Sequence, residues 1–335
     1  MLRTEKIIGI IFLLILGLWM GHGSTPIEES KLSTKLSAED YTKNVAELVE
    51  IVEKSNPRVA LEELRKRADS NPSILRACHT LIHEIGHTAY KKYGDFGEAM
   101  KYHDSYCNSG YVHGVIEGHF TKDKDIYQEM NTLCKDYPAG KFARAQCYHG
   151  MGHGLMYFTD NDLPKSLELC NSYTDSSAQS NCTWGVFMEN FSANPSLHPS
   201  QYINPEDPLY PCPEQTFSTK RDCYLWAPTY YLGLHLNDYA GALAWCKTAE
   251  LFYQETCATG VGGQTMRENT GNPKLVENLC MQGDPDQVAP CVDGMIRIYI
   301  SHFGSLAPAR KLCDQLLPSN KQTCLDAVAG LVSFF

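Results

Sequence analysis

The first predicted helix of the chain is indicated by the spacing of its apolar residues. Val45, Leu48, Val49 and Val52 recur at intervals of one, three and four residues, with glutamates filling the positions between them. This spacing places the apolar side chains on one face of a helix and the charged side chains on the other. Ser37 can cap the first turn, so the pattern predicts an amphipathic helix from residue 38 to residue 54.

Two Asn-Pro steps mark the starts of the next two helices, because proline is tolerated at the first helical position. The step at residues 56–57 predicts a helix over 58–68, and the step at 71–72 predicts a helix that continues to residue 92. Gly94 is a typical stop, since glycine adopts the left-handed conformation of a C-terminal cap without strain.

From residue 72 onward the chain repeats itself. Cysteines recur in six successive pairs, with separations of 13, 12, 11, 11, 11 and 11 residues within the pairs. The second cysteines advance by 35, 41, 34, 34 and 33 residues. A period of this length indicates stacked two-helix units. We predict that helix A ends near the first cysteine of each unit, that helix B begins at the second, and that a disulfide joins them.

The predicted disulfides account for all 14 cysteines. A closed loop of about 12 residues contributes on the order of 3 kcal/mol in the chain-entropy model. Cys78 and Cys107 each begin a B-type segment that has no A-type cysteine, so we pair them by elimination. The predicted disulfides are Cys78–Cys107, Cys134–Cys147, Cys170–Cys182, Cys212–Cys223, Cys246–Cys257, Cys280–Cys291 and Cys313–Cys324.

A glycine follows many of the B-helix cysteines at a distance of three residues. A residue without a side chain would let neighbouring B helices approach closely. The glycines in this position are Gly110, Gly150, Gly185, Gly260 and Gly294.

In its period and its helix–turn–helix units, the chain resembles the tetratricopeptide and Sel1-like helical repeats over roughly residues 72–335. The tetratricopeptide signature of tryptophan, leucine-glycine and tyrosine is not reproduced, so the resemblance is one of architecture. It implies an all-α fold, a right-handed α-solenoid of about seven to eight helix–turn–helix repeats with intra-repeat disulfides. It also implies a concave face lined by one helix of each pair.

The start of the chain carries an export signal. Arg3 and Lys6 precede an apolar run over residues 7–20. That run has the length of a signal-peptide core and is short for a membrane span. We predict that residues 1–25 are a signal peptide or an N-terminal membrane anchor and that residues 26–37 are a polar tether.

The predicted segments after residue 37 are defined by the helix signals and by one proline-rich stretch that interrupts the repeats. Residues 192–213 include prolines throughout and cannot form one continuous helix. This insertion is either a surface loop or a flap over the site. We therefore divide the rest of the chain into an N-terminal helical pair, His/Glu-rich repeats, the insertion and C-terminal repeats. These segments are 38–71, 72–191, 192–213 and 214–335.

Composition and charge restrict the partners and the location. The chain is 43% hydrophobic and 20% charged, which is sufficient for a large core. Its net charge is −10 and it has no basic patch or stripe, so we expect no nucleic-acid partner. Many cysteines after an export signal predict disulfides and an extracytoplasmic location, either secreted or anchored to the outer face of the cell membrane.

Histidines recur at matched positions in the first units. Counted from the B-helix cysteine of each unit, His83, His113 and His153 fall five, six and six residues later. In a solenoid, matched positions on successive B helices form a row, so we expect these imidazoles side by side. Histidines and carboxylates no longer occur at the matched positions after the fourth unit. A feature needed for repeat packing should persist through all units.

Residues 83–87 also read His-Glu-x-x-His, which supplies two metal ligands and a general base in zinc peptidases. Tyr90 stands where the extended peptidase pattern requires glycine, so we predict a metal site without a peptidase assignment. The alternative is that the histidines are interior residues hydrogen-bonded to carbonyls or glutamates.

The candidate metal ligands are His83, His87, His113, Glu117, His153 and Glu189. The candidate catalytic bases are Glu84 and Glu117. The residues expected to support the ligands are His79, His119 and His149.

The ligand types define the function hypotheses. Imidazole and carboxylate suit divalent zinc, iron, manganese or copper. We predict an exported metalloenzyme with an unidentified substrate, hydrolytic with zinc and oxidative with iron or copper. The alternative is a non-enzymatic solenoid that binds a peptide or protein on its concave face, with a structural metal or none. Metal storage is disfavoured because the ligands are confined to three or four units.

Overall fold

The computed structural model describes residues 34–120, 125–138, 140–192 and 199–335. Within these ranges the protein consists of α-helices, three short 3₁₀ turns and no strand. The predicted signal peptide or anchor, most of the tether and residues 193–198 of the insertion lie outside the described residues. The helices are α1 (Ala38–Lys54), α2 (Pro57–Ser70), α3 (Pro72–Tyr93), α4 (Phe96–Met100), α5 (Tyr106–His119), α6 (Ile126–Thr132), α7 (Phe142–Phe158), α8 (Leu163–Asn171), α9 (Ser176–Ser192), α10 (Phe217–Leu234), α11 (Tyr239–Cys246), α12 (Gln254–Glu268), α13 (Pro273–Cys280), α14 (Pro285–Phe303), α15 (Leu306–Cys313) and α16 (Pro318–Leu331).

The first three helices begin and end at their sequence signals. Ser37 caps α1, and Asn56 and Asn71 cap α2 and α3, each by accepting a backbone N–H bond with its side chain. Proline occupies the first turn of both α2 and α3, as predicted. Gly94 ends α3 in the left-handed conformation, with φ of 64°. Local capping chemistry therefore defines this part of the fold.

The later chain consists of helical hairpins, each braced by a disulfide between its short helix A and its long helix B. The predicted all-α solenoid with intra-repeat disulfides is confirmed. Cys78 and Cys107 join two successive B helices, α3 and α5, rather than the two helices of one hairpin. The structure contains the disulfides Cys78–Cys107, Cys134–Cys147, Cys170–Cys182, Cys212–Cys223, Cys246–Cys257, Cys280–Cys291 and Cys313–Cys324.

The prediction that each helix B begins at its cysteine is wrong. Helix α14 begins at Pro285, before Cys291, and α16 begins at Pro318, before Cys324. Proline at the first position and the capping groups determine where these helices start. In these two helices the cysteine consequently lies in the second turn.

Neighbouring B helices touch backbone to backbone at paired glycines. A methyl group at Gly114 on α5 would overlap the His83 carbonyl oxygen on α3, and one at Gly86 on α3 would overlap the Tyr111 carbonyl oxygen on α5. Only glycine permits this approach, because any side chain would push the helices apart. The same contact recurs between α7 and α9 and between α12 and α14, at Gly152, Gly185, Gly262 and Gly294.

The solenoid curls until its early and late units touch. Helix α14 packs against α5, and α12 contacts α3. Arg76 on α3 forms an ion pair of 2.9 Å with Glu268 on α12. The rings of Tyr106 on α5 and His302 on α14 meet edge to face, with centroids 5.0 Å apart. The B helices thereby enclose a cavity of about 400 Å³ on the concave side.

The glycine contact predicts a large difference between two alanine substitutions. Gly114→Ala is expected to lower the free energy of unfolding by about 2–3 kcal/mol, because the methyl group forces α3 and α5 apart. Gly233→Ala is the matched control, since no atom lies within 4 Å of the added methyl position. Its unfolding free energy should be unchanged or higher by about 0.5–1 kcal/mol, because alanine favours the helix. Chemical denaturation measures both, and equal effects of the two substitutions would contradict the backbone contact.

The contact between α5 and α14 predicts a dependence of stability on pH. Burial, and then the charge of Arg65, lower the pKa of His302 to about 4. Its contribution to stability is therefore complete above pH 6.5, the ordinary pKa, and is lost as the pH falls from there towards 4.

Between pH 7 and pH 4 the wild type should consequently lose about 3 kcal/mol more stability than His302→Phe, which keeps the ring but cannot be protonated. Urea unfolding in EDTA measures the difference. A parallel loss in both proteins would show that His302 does not titrate in this contact.

Candidate metal centre

The three histidines of the predicted row lie together inside the protein. The ring centroids of His83 and His113 are 5.4 Å apart, as are those of His83 and His153. His113 and His153 are stacked, with centroids 4.9 Å apart. Residues from α3, α5 and α7 thus meet at one place, as the stacking of B helices requires.

Two overlapping groups of side chains could hold a metal ion. His79, His113 and His153 form a histidine group, and Glu117, His153 and Glu189 form a carboxylate group. In each group, one ligand atom from every residue lies within 4.8 Å of the others. All of these residues are buried. Imidazole and carboxylate at this spacing are ligands that transition metals accept.

His153 belongs to both groups. Its Nδ1 atom lies 2.9 Å from Glu189 Oε2 and 3.7 Å from Glu117 Oε1. Its Nε2 atom lies 3.3 Å from His149 Nε2. The two nitrogens of this ring therefore face different side chains, carboxylates at Nδ1 and the His149 ring at Nε2, so His153 connects the carboxylate side of the centre to its histidine side.

Glu117 is the carboxylate that the two histidines of the His-Glu-x-x-His pattern contact. Its oxygens lie 3.0 Å from His83 Nδ1 and 2.6 Å from His87 Nε2. Burial opposes ionisation, but the charge and hydrogen bonds of His83 and His87 outweigh it and hold the pKa of Glu117 well below its usual range. Burial also disfavours the His87 cation, yet Glu117 and Glu84 raise the pKa of His87 to about 10.

The opposite side of the centre consists of neutral imidazoles. Burial, and then the neighbouring histidines, lower the pKa values of His79, His113 and His149 well below the ordinary value. The neutral ring is the form that binds a metal. Neither ring nitrogen of His113 has a hydrogen-bond partner among the described residues. A buried polar atom without a partner costs free energy, and a bound ion would supply that partner.

Two of the three histidines expected to support the ligands lie at the centre. His79 belongs to the histidine group, and its Nδ1 atom lies 2.8 Å from the Cys107 carbonyl oxygen. His149 contacts His153, as described above. His119 lies elsewhere, with its ring nitrogens 2.9 Å from Glu129 Oε2 and 3.2 Å from the Tyr90 hydroxyl.

Of the remaining predicted residues, four belong to the two groups and three do not. His113, Glu117, His153 and Glu189 are members of the groups, whereas His83 and His87 contact Glu117 without belonging to either. Glu84 lies on the outer side, half-buried, with its carboxylate 3.6 Å from His87 Nδ1.

Sequence reasoning missed Tyr157 on α7. Its ring centroid lies 6.0 Å from that of His87. Burial, and then the charges of Glu117, Glu189 and Glu84, raise the pKa of this phenol. Tyr157 follows His153 by four residues, so continuing the same helical face by one turn would have found it.

Comparison of the chain with protein-family models, with curated proteins and with solved structures gives no match.

The unpaired ring of His113 predicts opposite effects of substitution with and without metal. In EDTA, His113→Leu should leave the free energy of unfolding unchanged or raise it, because two buried unpaired nitrogens are removed. With zinc at 100 times its Kd, the wild type should gain about 2.7 kcal/mol and the variant far less.

Denaturant unfolding with and without zinc tests this prediction, and His235→Leu, at an exposed position, is the control. If zinc stabilised the wild type and His113→Leu equally, His113 would not be a ligand.

Proposed function

We propose that the protein is an exported metal-dependent enzyme whose metal centre is formed by the histidine and carboxylate groups on α3, α5, α7 and α9. The observation that carries this proposal is that two buried groups of ligands share His153. A packed interior has no need for so many ionisable side chains in contact, because each costs free energy to desolvate. An ion would compensate that cost.

The disulfides support the exported location. Seven disulfides are expected in an oxidising, extracytoplasmic environment and are rare in the cytosol. Among the described residues, no helix has the length and apolar composition that crossing a membrane requires. Secretion through a cleaved signal peptide, or attachment through residues 1–25, is part of the proposal.

The two groups differ in the ions that they favour. Three imidazoles suit zinc or copper, whereas two carboxylates with one imidazole suit iron or manganese as well as zinc. A bound zinc ion would supply an activated water for hydrolysis, and iron or copper would supply oxidative chemistry. The shared ring of His153 would couple the two positions if both were filled.

Glu84 is the residue that we assign as general base. Glu117 belongs to a ligand group, and Glu84 does not. The contact with His87, whose Nδ1 atom lies 3.6 Å away, is the main cause that lowers the pKa of Glu84, so its carboxylate is ionised at neutral pH. Its side chain is partly exposed, so water from the solvent can reach it.

The burial of the ligands also favours a second function. Every residue of both groups is buried, as in structural metal sites that brace a fold. The protein would then be a non-enzymatic scaffold that binds a peptide or protein. In that case chelation would unfold the protein, whereas an enzyme with an exchangeable ion would remain folded without it.

Cobalt substitution tests the metal centre directly. The wild type, purified without a histidine tag and stripped with EDTA, is expected to take up Co²⁺ stoichiometrically and to develop visible absorption. His153→Ala should abolish this uptake, because it removes a ligand from both groups, and His235→Ala should not change it. Elemental analysis measures the ratio of cobalt to protein. A wild type that takes up no cobalt would contradict the proposal.

Two further variants separate the groups in the same assay. His113→Leu removes a ligand from the histidine group alone, and Glu189→Gln removes one from the carboxylate group alone. If two ions bind, each variant should lose one. If one ion binds, only the variant in the occupied group should lose it.

A further inference from the structure

The cavity enclosed by the B helices extends from the inner edge of the metal centre. His79 and His149 both line it. His79 is a member of the histidine group, and His149 lies 3.3 Å from His153, measured between the Nε2 atoms. A molecule in the cavity would therefore lie next to the residues that hold the metal.

The charges on the cavity wall are positive. Arg267 and Arg297 line the cavity, whereas none of its described lining residues is an aspartate or a glutamate. A positive interior is unusual in a chain of net charge −10, and it favours an anionic ligand.

The two arginines differ in how their charge is compensated. Arg297 forms an ion pair of 2.6 Å with Asp293. The Nε atom of Arg267 has no hydrogen-bond partner among the described residues, and its Nη1 atom lies 3.5 Å from the Met188 sulfur. The neighbouring Glu268 is directed elsewhere, because its carboxylate contacts Arg76 at 2.9 Å and the Tyr239 hydroxyl at 2.8 Å.

An aromatic surface accompanies this unpaired cation. The guanidinium carbon of Arg267 lies 4.9 Å from the ring centroid of Trp226, which lines the same cavity. The Trp226 side chain is buried, with a relative exposure of 9%, and its Nε1 atom has no hydrogen-bond partner among the described residues. Trp226 Nε1 and Arg267 Nε are both N–H donors, so a ligand with acceptor oxygens would satisfy them.

We propose that the cavity binds a small organic monocarboxylate with a flat apolar body, its carboxylate on Arg267 and its body against Trp226. One unpaired cation matches one negative charge, and the planar guanidinium fork matches the geometry of a carboxylate. A cavity of about 400 Å³ is within the usual range for a small-molecule site. As the assignment of a substrate class, this inference rests on the proposed function.

Calorimetric titration of the full chain tests the binding. The probes are benzoate, 3-phenylpropionate and 2-naphthoate, each compared with its own primary amide. At least one carboxylate is expected to bind the wild type tenfold or more tightly than its amide, because the amide cannot pair with the Arg267 charge. If none of the carboxylates is preferred over its amide, the proposal is overturned.

Two arginine variants provide the matched comparison. Arg267→Met should weaken binding of the preferred carboxylate at least tenfold, whereas Arg297→Met should change it less than threefold, because Arg297 is already paired with Asp293. Replacing an unpaired enclosed cation by an apolar chain of similar length is not expected to unfold the protein. If Arg267→Met did not fold, Arg267→Lys, which loses the planar fork, should weaken binding at least threefold. Equal effects of Arg267→Met and Arg297→Met, or unchanged binding by Arg267→Lys, would overturn the proposal.

The same titrations in EDTA and with Co²⁺ separate this inference from the proposed function. Carboxylate binding that depends on Arg267 should occur in EDTA, because Arg267 belongs to neither group of metal ligands. A protein that binds the carboxylate but no cobalt would support the anion site and refute the metal centre. A protein that binds cobalt but shows no preference for any carboxylate over its amide would support the metal centre and refute the anion site.

Discussion

The close contact of B helices at paired glycines is the constraint on which the site depends. At the contact between α3 and α5, Gly114 touches the backbone carbonyl of His83 itself. The residue that makes the helix contact is thus also a residue of the metal centre. Because the helices meet at this distance, the His83 and His113 rings come within 5.4 Å of each other. With a larger residue at the contact, the same sequence of ligands would be spread over a wider and less buried surface.

Buried charges are compensated differently on the two sides of these helices. Around the metal centre, side chains of the protein compensate each other: Glu117 accepts from His83 and His87, and His153 contacts Glu189. Beside the cavity, Arg267 contacts the face of Trp226 and a sulfur atom, and it forms no ion pair with a carboxylate in the described part of the chain. An uncompensated charge inside a protein is costly, and such costs are concentrated where a ligand binds. The contrast distinguishes the candidate metal centre, where carboxylates and imidazoles contact each other, from the cavity, where the cation of Arg267 has no carboxylate partner among the described residues.

The sequence predicts those features that depend on short-range chemistry. Capping by Ser37 and Gly94 and the cysteine spacing define helix ends and hairpins, because each acts within a turn or one loop. The row of histidines was predictable once the period was known. The curl of the solenoid could not be predicted in this way, because it depends on contacts between distant units, such as that of Arg76 with Glu268. The contact of His79 with the Cys107 carbonyl was not predictable either, because the chain is left-handed at Cys107, with φ of 52°, a conformation unexpected for cysteine.

The matched row of the solenoid explains why the metal centre and the cavity adjoin. Six residues after the B-helix cysteine, the early units place His113 and His153, and the later units place Thr229, Gly263 and Arg297. The later three all line the cavity. From the second unit onward, this position therefore supplies ligands first and cavity wall later, whereas in the first unit it holds Glu84. Since the curl brings α12 against α3, the end of this row returns to its beginning, and the cavity wall meets the histidine group at His79.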